Sequence, residues 1–312
     1  MIPSLASATT RAASKQTYYT VRFLVDRPLV EDAYRAYAYF RWVDDVVDAV
    51  ACTRSACGDA ERLVREQFLD RQKNLLDACV RGEEPRVADP HEALLVELVR
   101  PDLDARLDAY LRHMMLVMEF DVARRGRLVS QQELDEYTRC LAVAVTEAMS
   151  YFIGNGADSP HDETRYLAVS GAHIVHMLRD TYADVQAGYF NVPREVLDAS
   201  SMGPADVLCD AYRAWVNDRV RLARAYMNEG KDYFARVQSR RHRLAGVAYI
   251  ARFEWLIETL EREDCRLRPR YAERRSLATG LRMGRYVVSS LARPPRLARP
   301  AVPHPSARGG RP

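Results

Sequence analysis

The 312-residue sequence lacks most of the features of disulfide-rich, membrane-spanning and β-sheet proteins. Its six cysteines are scattered and form no CxxC pair, which predicts free thiols in a cytoplasmic protein and argues against a disulfide framework. No run reaches the roughly 18 consecutive apolar residues that a transmembrane helix needs. Alternating strand patterns with hairpin turns are also missing, which argues against a β-fold.

Lysine is scarce, with only Lys15, Lys73 and Lys231 beside a large excess of arginine. The formal net charge is +3, and residues 291–312 carry five arginines and no acid, which leaves the rest of the chain at −2. A body without excess positive charge argues against nucleic-acid binding. Residues 291–312 are also rich in proline, so we predict a disordered, solvated tail after a single domain at 1–290. Contact of this basic tail with an anionic membrane surface is the less favoured alternative.

Helical periodicity is the main pattern that is present. Apolar and aromatic side chains recur every three or four residues between 29 and 50, for example at Ala33, Tyr37 and Phe40. Similar stretches cover residues 59–80, 91–100, 103–124, 131–153, 162–187, 204–237 and 241–263. Glycine, proline and asparagine lie between these stretches, as expected for turns. The sequence therefore predicts one all-α domain of about eight to ten helices.

The first acidic motif consists of Asp44, Asp45 and Asp48, close to Arg41. Asp44 and Asp48 are four positions apart, so they share one face of the predicted helix, with Asp45 one position round. Like charges at this spacing destabilise a helix by about 0.2–0.5 kcal/mol. Bound divalent cations would offset the repulsion, and Mg²⁺ prefers one or two carboxylates together with water and phosphate oxygens.

The second acidic motif repeats this spacing at Asp180 and Asp184, with Arg179 beside the first acid. Either motif alone is compatible with a solvated acidic turn. Two such pairs, each beside an arginine, favour a clamp in which Asp44, Asp48, Asp180 and Asp184 bind Mg²⁺ around a diphosphate. A metal-bound diphosphate is a good leaving group, and an apolar helical bundle can shelter the carbocation that remains.

Three parts of the chain resemble one known family: Ser14-Lys15, the segment from Tyr37 to Asp48, and the segment from Met177 to Asp184 with Gly188 and Pro193. Over residues 14–270 the chain is similar to the squalene/phytoene synthases, the head-to-head type of isoprenyl diphosphate synthase. The resemblance implies an isoprenoid-synthase-type helical bundle around a central apolar cavity, with three Mg²⁺ ions and a prenyl diphosphate donor. It also implies that the diphosphate is bound near Lys15, Tyr37, Arg41, Arg179 and Arg270.

The second acidic motif departs from the pattern of that family. Glutamine and asparagine are usual where this chain has His173 and His176. Arginine and tyrosine are usual where it has Tyr189 and Asn191. The lost arginine and phenol would serve as diphosphate ligands, so we expect one diphosphate to be bound well and a second one weakly.

Another departure lies in the predicted helix at 131–153. Where the family has Ala-Gly-x-Val-Gly, this chain has Ala142-Val143-Ala144-Val145-Thr146. Valine and threonine are larger than the glycines they replace, so we expect Val143 and Thr146 to narrow the cavity where a prenyl tail passes. A head-to-head synthase holds two prenyl diphosphates at once. A narrower cavity and a weaker second diphosphate site therefore both favour a different acceptor.

His173 and His176 fall on one stripe of the helix that carries Asp180 and Asp184. One interpretation is that each histidine is a polar replacement, hydrogen-bonded within the bundle. A second is that one histidine binds or deprotonates the acceptor, since histidine titrates near neutral pH. A zinc site is the third and least favoured interpretation, because no cysteine lies close in sequence and hard oxygen ligands dominate. The sequence alone leaves the first two open.

The favoured function is a Mg²⁺-dependent prenyltransferase, with the five acids and the two histidines as its catalytic residues. The departures favour a small-molecule acceptor, aromatic as in the squalene-synthase-like enzymes that prenylate carbazoles, in specialised metabolism. The alternative is head-to-head condensation of two prenyl diphosphates. Terpene cyclisation fits less well because the second motif is Asp-x-x-x-Asp, and a non-catalytic assembly role fits less well because all five acids are present.

Overall fold

The computed structural model describes residues 4–49, 58–154, 156–157 and 159–271, in which every regular element is a helix. Two short 3₁₀ helices cover Arg27–Leu29 and Glu163–Tyr166. The α-helices are α1 (Leu5–Ala13), α2 (Lys15–Leu24), α3 (Val30–Ala49), α4 (Gly58–Val80), α5 (Pro90–Leu98), α6 (Ala105–Arg124), α7 (Gln131–Ile153), α8 (Leu167–Ala187), α9 (Arg194–Ser200), α10 (Asp210–Arg236) and α11 (Arg240–Arg262). The all-α prediction is confirmed for these residues. The predicted tail at 291–312 lies outside them, and the single domain at 1–290 stays a prediction.

The described part of the chain contains eleven α-helices, more than the sequence predicted. Helices α1, α2 and α9 were missed because they are short. Both α1 and α2 begin at a serine N-cap, Ser4 or Ser14, whose hydroxyl accepts the backbone N–H three residues further on. The predicted helix at 204–237 is wrong at its start, because residues 204–209 form turns and α10 begins only after Cys209.

The helices form two apolar cores, one from the first part of the chain and one from the second. The first core is built mainly by residues of α1 to α7, and the second by residues of α8 to α11. Helices α7 and α8 pack against each other where the two cores meet. Helices α8 and α10 cross closely at Gly230, where a Cβ atom would lie 2.6 Å from the Cβ of Ala168. Only glycine fits at that crossing without a shift of the helices.

Gly126 and Gly188 join the end of α6 to the end of α8. The N–H of Gly126 donates a 2.8 Å hydrogen bond to the carbonyl of Gly188. Both residues have left-handed backbone conformations, with φ of 73° and 84°, which glycine adopts most easily. The last turns of α6 and α8, which carry Arg124 and Asp184, are therefore held side by side.

Helix α2 exposes aromatic and basic side chains on its outer face. Tyr19 and Phe23 are 50% and 72% exposed, and their rings stack with centroids 6.2 Å apart. Lys15 and Arg22 are exposed on the same helix, and the sequence from 4 to 25 contains no acid. No helix within the described residues is both long and apolar enough to cross a membrane.

Candidate active site

The first acidic motif lies in the last two turns of α3. Arg41 forms ion pairs with Asp44, at 3.2 Å, and with Asp45. Asp44 is half-buried, and burial together with the charge of Asp48 raises the pKa of Asp44 to about 6. Asp44 and Asp48 repel each other, and the negative end of the helix dipole adds to this repulsion. The last turn of α3 has no basic residue that would offset it. These carboxylates therefore favour an added cation.

The second acidic motif lies in the C-terminal half of α8. Asp180 accepts a 2.7 Å hydrogen bond from Arg179 and pairs with His176 at 2.9 Å. Burial opposes ionisation of Asp180, but these two partners hold its pKa well below the usual range. The pKa of Asp184 is raised by burial, although a hydrogen bond from Asn191 favours the charged form. The negative charge of Asp180 is thus well compensated by its neighbours, whereas that of Asp184 is not.

Helix α6 contributes Asp121 and Arg124, two residues of the site that the sequence analysis did not predict. The guanidinium of Arg124 donates to Asp121 at 2.8 Å and to Oδ1 of Asn191 at 2.9 Å. Nδ2 of Asn191 in turn donates to Asp184 at 2.7 Å. The Tyr137 hydroxyl donates to the other oxygen of Asp121 at 3.0 Å. A chain of hydrogen bonds therefore runs from α6 to the second acidic motif.

Asp121 also interacts electrostatically with the first acidic motif. After burial and Asp48, the charge of Asp121 contributes to the raised pKa of Asp44. Burial is likewise the main cause of the raised pKa of Asp121, and the charge of Asp48 adds to it. The two acidic motifs are therefore connected through α6. The sequence signal for this connection was an acid and an arginine three positions apart in a largely apolar helix end.

His173 and His176 lie in different environments although they share a helix. His176 is exposed and bonded to Asp180, whereas His173 is only 6% exposed and packs edge-on against Tyr137, with ring centroids 4.9 Å apart. Burial lowers the pKa of His173 to about 3, and neither ring nitrogen has a hydrogen-bond partner in the described structure. Neither interpretation fits His173 as stated, because its pKa lies far below neutral and it is buried without the hydrogen bond expected of a polar replacement. A catalytic role for His173 or His176 stays a prediction.

The five residues predicted near the diphosphate lie on different parts of the fold. Arg41 and Arg179 contact the acids directly, and Tyr37 lies one turn before Arg41 on α3. Lys15, the first residue of α2, and Arg270, which follows α11, are exposed. A role for Lys15 and Arg270 at the diphosphate stays a prediction.

An apolar cavity of about 520 Å³ adjoins the first acidic motif. Its walls come from α2, α3, α6 and α7, with Tyr249 from α11. Among the residues that the structure describes, Arg41 and Asp44 are the only charged ones that line it. The phenols of Tyr37 and Tyr110 also line it. Burial raises the pKa of Tyr110 and of Tyr249, so both hydroxyls stay protonated. The cavity suits an apolar chain whose charged end lies at the acids.

The prediction that Val143 and Thr146 narrow this cavity is wrong. Helix α7 lines it with Leu141, Val145 and Phe152, which follow one stripe of the helix. Val143 and Thr146 are buried on other faces of α7 and are not among the lining residues. Their extra volume is therefore accommodated in the packing between helices.

The carboxylates of the site fit a divalent cation by their chemistry and by the repulsion between them. Burial raises the pKa values of Asp44, Asp121 and Asp184, and in each case a neighbouring acid adds to the rise. Within the described residues, no three acidic, histidine or cysteine side chains converge closely enough to hold an ion alone. Mg²⁺ suits such an arrangement, because water and phosphate oxygens usually complete its coordination.

An all-α bundle with paired acids beside an apolar cavity is the isoprenoid-synthase fold, and two solved structures share it. The crystal structure of squalene synthase HpnC from Alicyclobacillus acidocaldarius has a TM-score of 0.64 at 19% identity, over 83% of this chain and 93% of that one. The crystal structure of a dehydrosqualene synthase in complex with ligand has a TM-score of 0.65 at 15% identity, over 92% and 95% of the two chains.

The family follows from the sequence comparison. The squalene/phytoene synthase family matches residues 10–279, so this chain belongs to that family, as its two acidic motifs predicted. A presqualene diphosphate synthase from Rhodopseudomonas palustris (strain ATCC BAA-98 / CGA009) is 28% identical over 187 residues. The matched region spans 58% of this chain and 59% of that relative.

Proposed function

We propose that the protein is a Mg²⁺-dependent prenyltransferase that ionises one allylic prenyl diphosphate and transfers the prenyl group to a carbon nucleophile. One observation carries the proposal: two acidic motifs are connected through Asp121, Arg124 and Asn191 beside an apolar cavity of about 520 Å³. A prenyl diphosphate has one charged end and one apolar tail. The acids and the cavity match these two parts.

Four acids are the residues that would hold Mg²⁺, namely Asp44 and Asp48 on α3 and Asp180 and Asp184 on α8. The family resemblance gives three ions for such a site. Bound Mg²⁺ neutralises the charge that develops on the diphosphate as it leaves.

The side chains between the acids and the cavity would bind and shield the reacting end of the donor. Arg41 lines the cavity and pairs with the first acidic motif, so its guanidinium is placed to donate to diphosphate oxygens. Tyr37 and Phe40 line the cavity on the same helix and offer aromatic faces to the carbocation, worth about 0.5–2 kcal/mol each. The apolar walls exclude the water that would otherwise capture the cation as an alcohol.

The loop after α8 supports an acceptor without a diphosphate. Residues 188–193 contain no basic side chain. Asn191 is engaged with Arg124 and Asp184, and the Tyr189 ring lies 4.9 Å from the guanidinium carbon of Arg124. This loop thus offers no arginine to a second diphosphate, and we propose a small aromatic acceptor in specialised metabolism.

The second candidate function is head-to-head condensation of two prenyl diphosphates. It is supported by the similarity to a presqualene diphosphate synthase. The acids and the apolar cavity, which would bind the prenyl diphosphate donor, suit this reaction equally well. The two candidates differ in what accepts the prenyl group, so they differ in whether the donor alone is sufficient for product formation.

Incubation with Mg²⁺ and one prenyl diphosphate at a time separates these functions. Dimethylallyl, geranyl, farnesyl and geranylgeranyl diphosphate should each give no C–C-coupled product alone, and transfer should require an added aromatic acceptor such as carbazole. A C30 or C40 product from the donor alone would instead establish head-to-head condensation. Asp184→Asn is the control that must remove either product.

The proposal includes a peripheral contact with an anionic membrane surface. Stacked aromatic side chains beside Lys15 and Arg22 on the outer face of α2 are typical of helices that lie at a lipid interface. Val21 on the inner face of α2 lines the cavity. A lipid-soluble prenyl chain would then enter or leave close to the membrane.

A further inference from the structure

Arg124 is a buried arginine whose position is fixed by two aromatic rings and by hydrogen bonds to two side chains. It is only 7% exposed, at the C-terminal end of α6. Its guanidinium carbon lies 4.9 Å from the ring centroids of both Tyr137 and Tyr189. Hydrogen bonds to Asp121 and Asn191 use its Nε and one terminal nitrogen. A cation held in this way is part of the protein framework rather than a free ligand for substrate.

The hydrogen bonds transmit the orientation of Arg124 to the second acidic motif. Arginine can only donate, so Asn191 must turn its carbonyl oxygen to Arg124 and its amide nitrogen to Asp184. This fixes the rotation of the Asp184 carboxylate. The charge of Arg124 also acts on Asp184 directly, in the direction that favours the ionised carboxylate.

The same arginine restores a positive charge that the loop after α8 lacks. Members of the family usually have an arginine where this chain has Tyr189. The guanidinium of Arg124 packs on the ring of Tyr189, so a cation from α6 lies next to the position that lost one. Arg124 also pairs with Asp121, which interacts with the first acidic motif.

We infer that Arg124 is a positioning residue that serves as the internal counter-ion of the two acidic motifs. It holds Asp121, and through Asn191 also Asp184, in place while no metal is bound. The inference rests on the proposed function only in taking the acids as metal ligands, since the counter-ion role concerns the protein alone.

Thermal unfolding of the full chain, in EDTA and in Mg²⁺ with inorganic diphosphate, tests this inference. Arg124→Gln should lower the melting temperature in EDTA by roughly 5–10 °C, because it removes the cationic partner of Asp121 and Asn191. Mg²⁺ with inorganic diphosphate should then raise the melting temperature of Arg124→Gln more than that of the wild type, since the ions replace the missing charge. Arg221→Gln is the control, because Arg221 is exposed on α10 and has only a loose surface pair with Asp218 at 3.9 Å, and it should behave as the wild type.

Two results would overturn the inference: an unchanged melting temperature of Arg124→Gln in EDTA, or an ion-induced shift no larger than that of the wild type. If Arg124→Gln does not fold, Arg124→Lys replaces it, because lysine keeps the charge but not the two-pronged geometry. The melting temperature of Arg124→Lys in EDTA should lie below that of the wild type, by less than the roughly 5–10 °C expected for Arg124→Gln. A melting temperature equal to that of the wild type would again overturn the inference. The absence of any ion-induced shift in the wild type would count against the proposed Mg²⁺ site, whereas the measurement in EDTA still decides the role of Arg124.

Discussion

Asn191 donates a 2.7 Å hydrogen bond to Asp184 across the turn that ends α8. The two residues meet because Gly188, between them, reverses the chain in a left-handed conformation with φ of 84°. The same amide accepts a hydrogen bond from Arg124. A loop residue that departs from the family pattern thus orients one acid of the candidate site.

Replacing Asn191 should therefore weaken the site without removing any acid. Asn191→Ala should reduce turnover about 10–100-fold and raise the Mg²⁺ concentration needed, because residues that orient metal ligands typically have effects of this size. Consumption of prenyl diphosphate as a function of Mg²⁺ concentration measures this. Asn228→Ala, at an exposed position on α10, is the control. An unaltered Mg²⁺ dependence would show that Asp184 does not rely on Asn191.

A buried ion pair between Glu147 and Arg165 should contribute strongly to stability. Arg165 donates two hydrogen bonds to Glu147, at 2.8 and 2.7 Å, and both side chains are buried. Glu147→Ala leaves Arg165 buried without its carboxylate, so the free energy of unfolding should fall by about 3–5 kcal/mol. Glu136→Ala breaks an exposed pair with Arg139 on the same helix and should cost less than about 1 kcal/mol. Similar small losses in both variants, measured by denaturant unfolding, would contradict this prediction.

Mild acid should destabilise the fold through His242, which is buried. Burial lowers the pKa of His242 to about 4 from an ordinary value of 6.5. The unfolded chain then binds the extra proton first, so the stability due to neutral His242 is complete above about pH 6.5 and is lost as the pH falls towards 4. Between pH 7.5 and 4.5 the melting temperature should fall more steeply in the wild type than in His242→Gln. His161→Gln, at an exposed position, should follow the wild type, whereas a His242→Gln profile parallel to the wild type would refute the prediction.

Vesicle binding tests the outer face of α2. The protein should co-sediment with phosphatidylglycerol vesicles more than with phosphatidylcholine vesicles, and high salt should reduce the difference. A variant with both Tyr19→Ser and Phe23→Ser should lose most of this binding. Leu208→Ser, at a position that is 87% exposed in a loop, should retain it. Undiminished binding of the double variant would assign the contact to another part of the chain, such as the arginine-rich residues 291–312.

The acids were predictable from the sequence because their pattern is local. A spacing of four residues places Asp44 with Asp48, and Asp180 with Asp184, on one face of a helix whatever the helix packs against. The motifs also carry the family resemblance, which the match over residues 10–279 confirms.

The connection between the motifs was not predictable, because it depends on packing between distant segments. Arg124 and Asn191 are 67 residues apart and meet only when α6 lies against the loop after α8. The environment of His173 was not predictable for the same reason. The helical periodicity predicts which face of the helix carries His173, but not that the Tyr137 ring packs against it. The error at Val143 and Thr146 has a similar cause, because periodicity does not tell which face of α7 borders the cavity.

Release of inorganic diphosphate is the most direct test that the two acidic motifs ionise a prenyl diphosphate. It should be measured with the four prenyl diphosphates, in Mg²⁺ and in EDTA, for the wild type, Asp44→Asn and Asp184→Asn. Both variants should lose at least about 100-fold of the rate while remaining as stable as the wild type, because asparagine keeps the shape and removes the repulsion. Asp70→Asn, at an exposed position on α4, should be fully active, and EDTA should abolish release by the wild type. Undiminished release by either motif variant, or by the wild type in EDTA, would contradict a carboxylate–Mg²⁺ clamp.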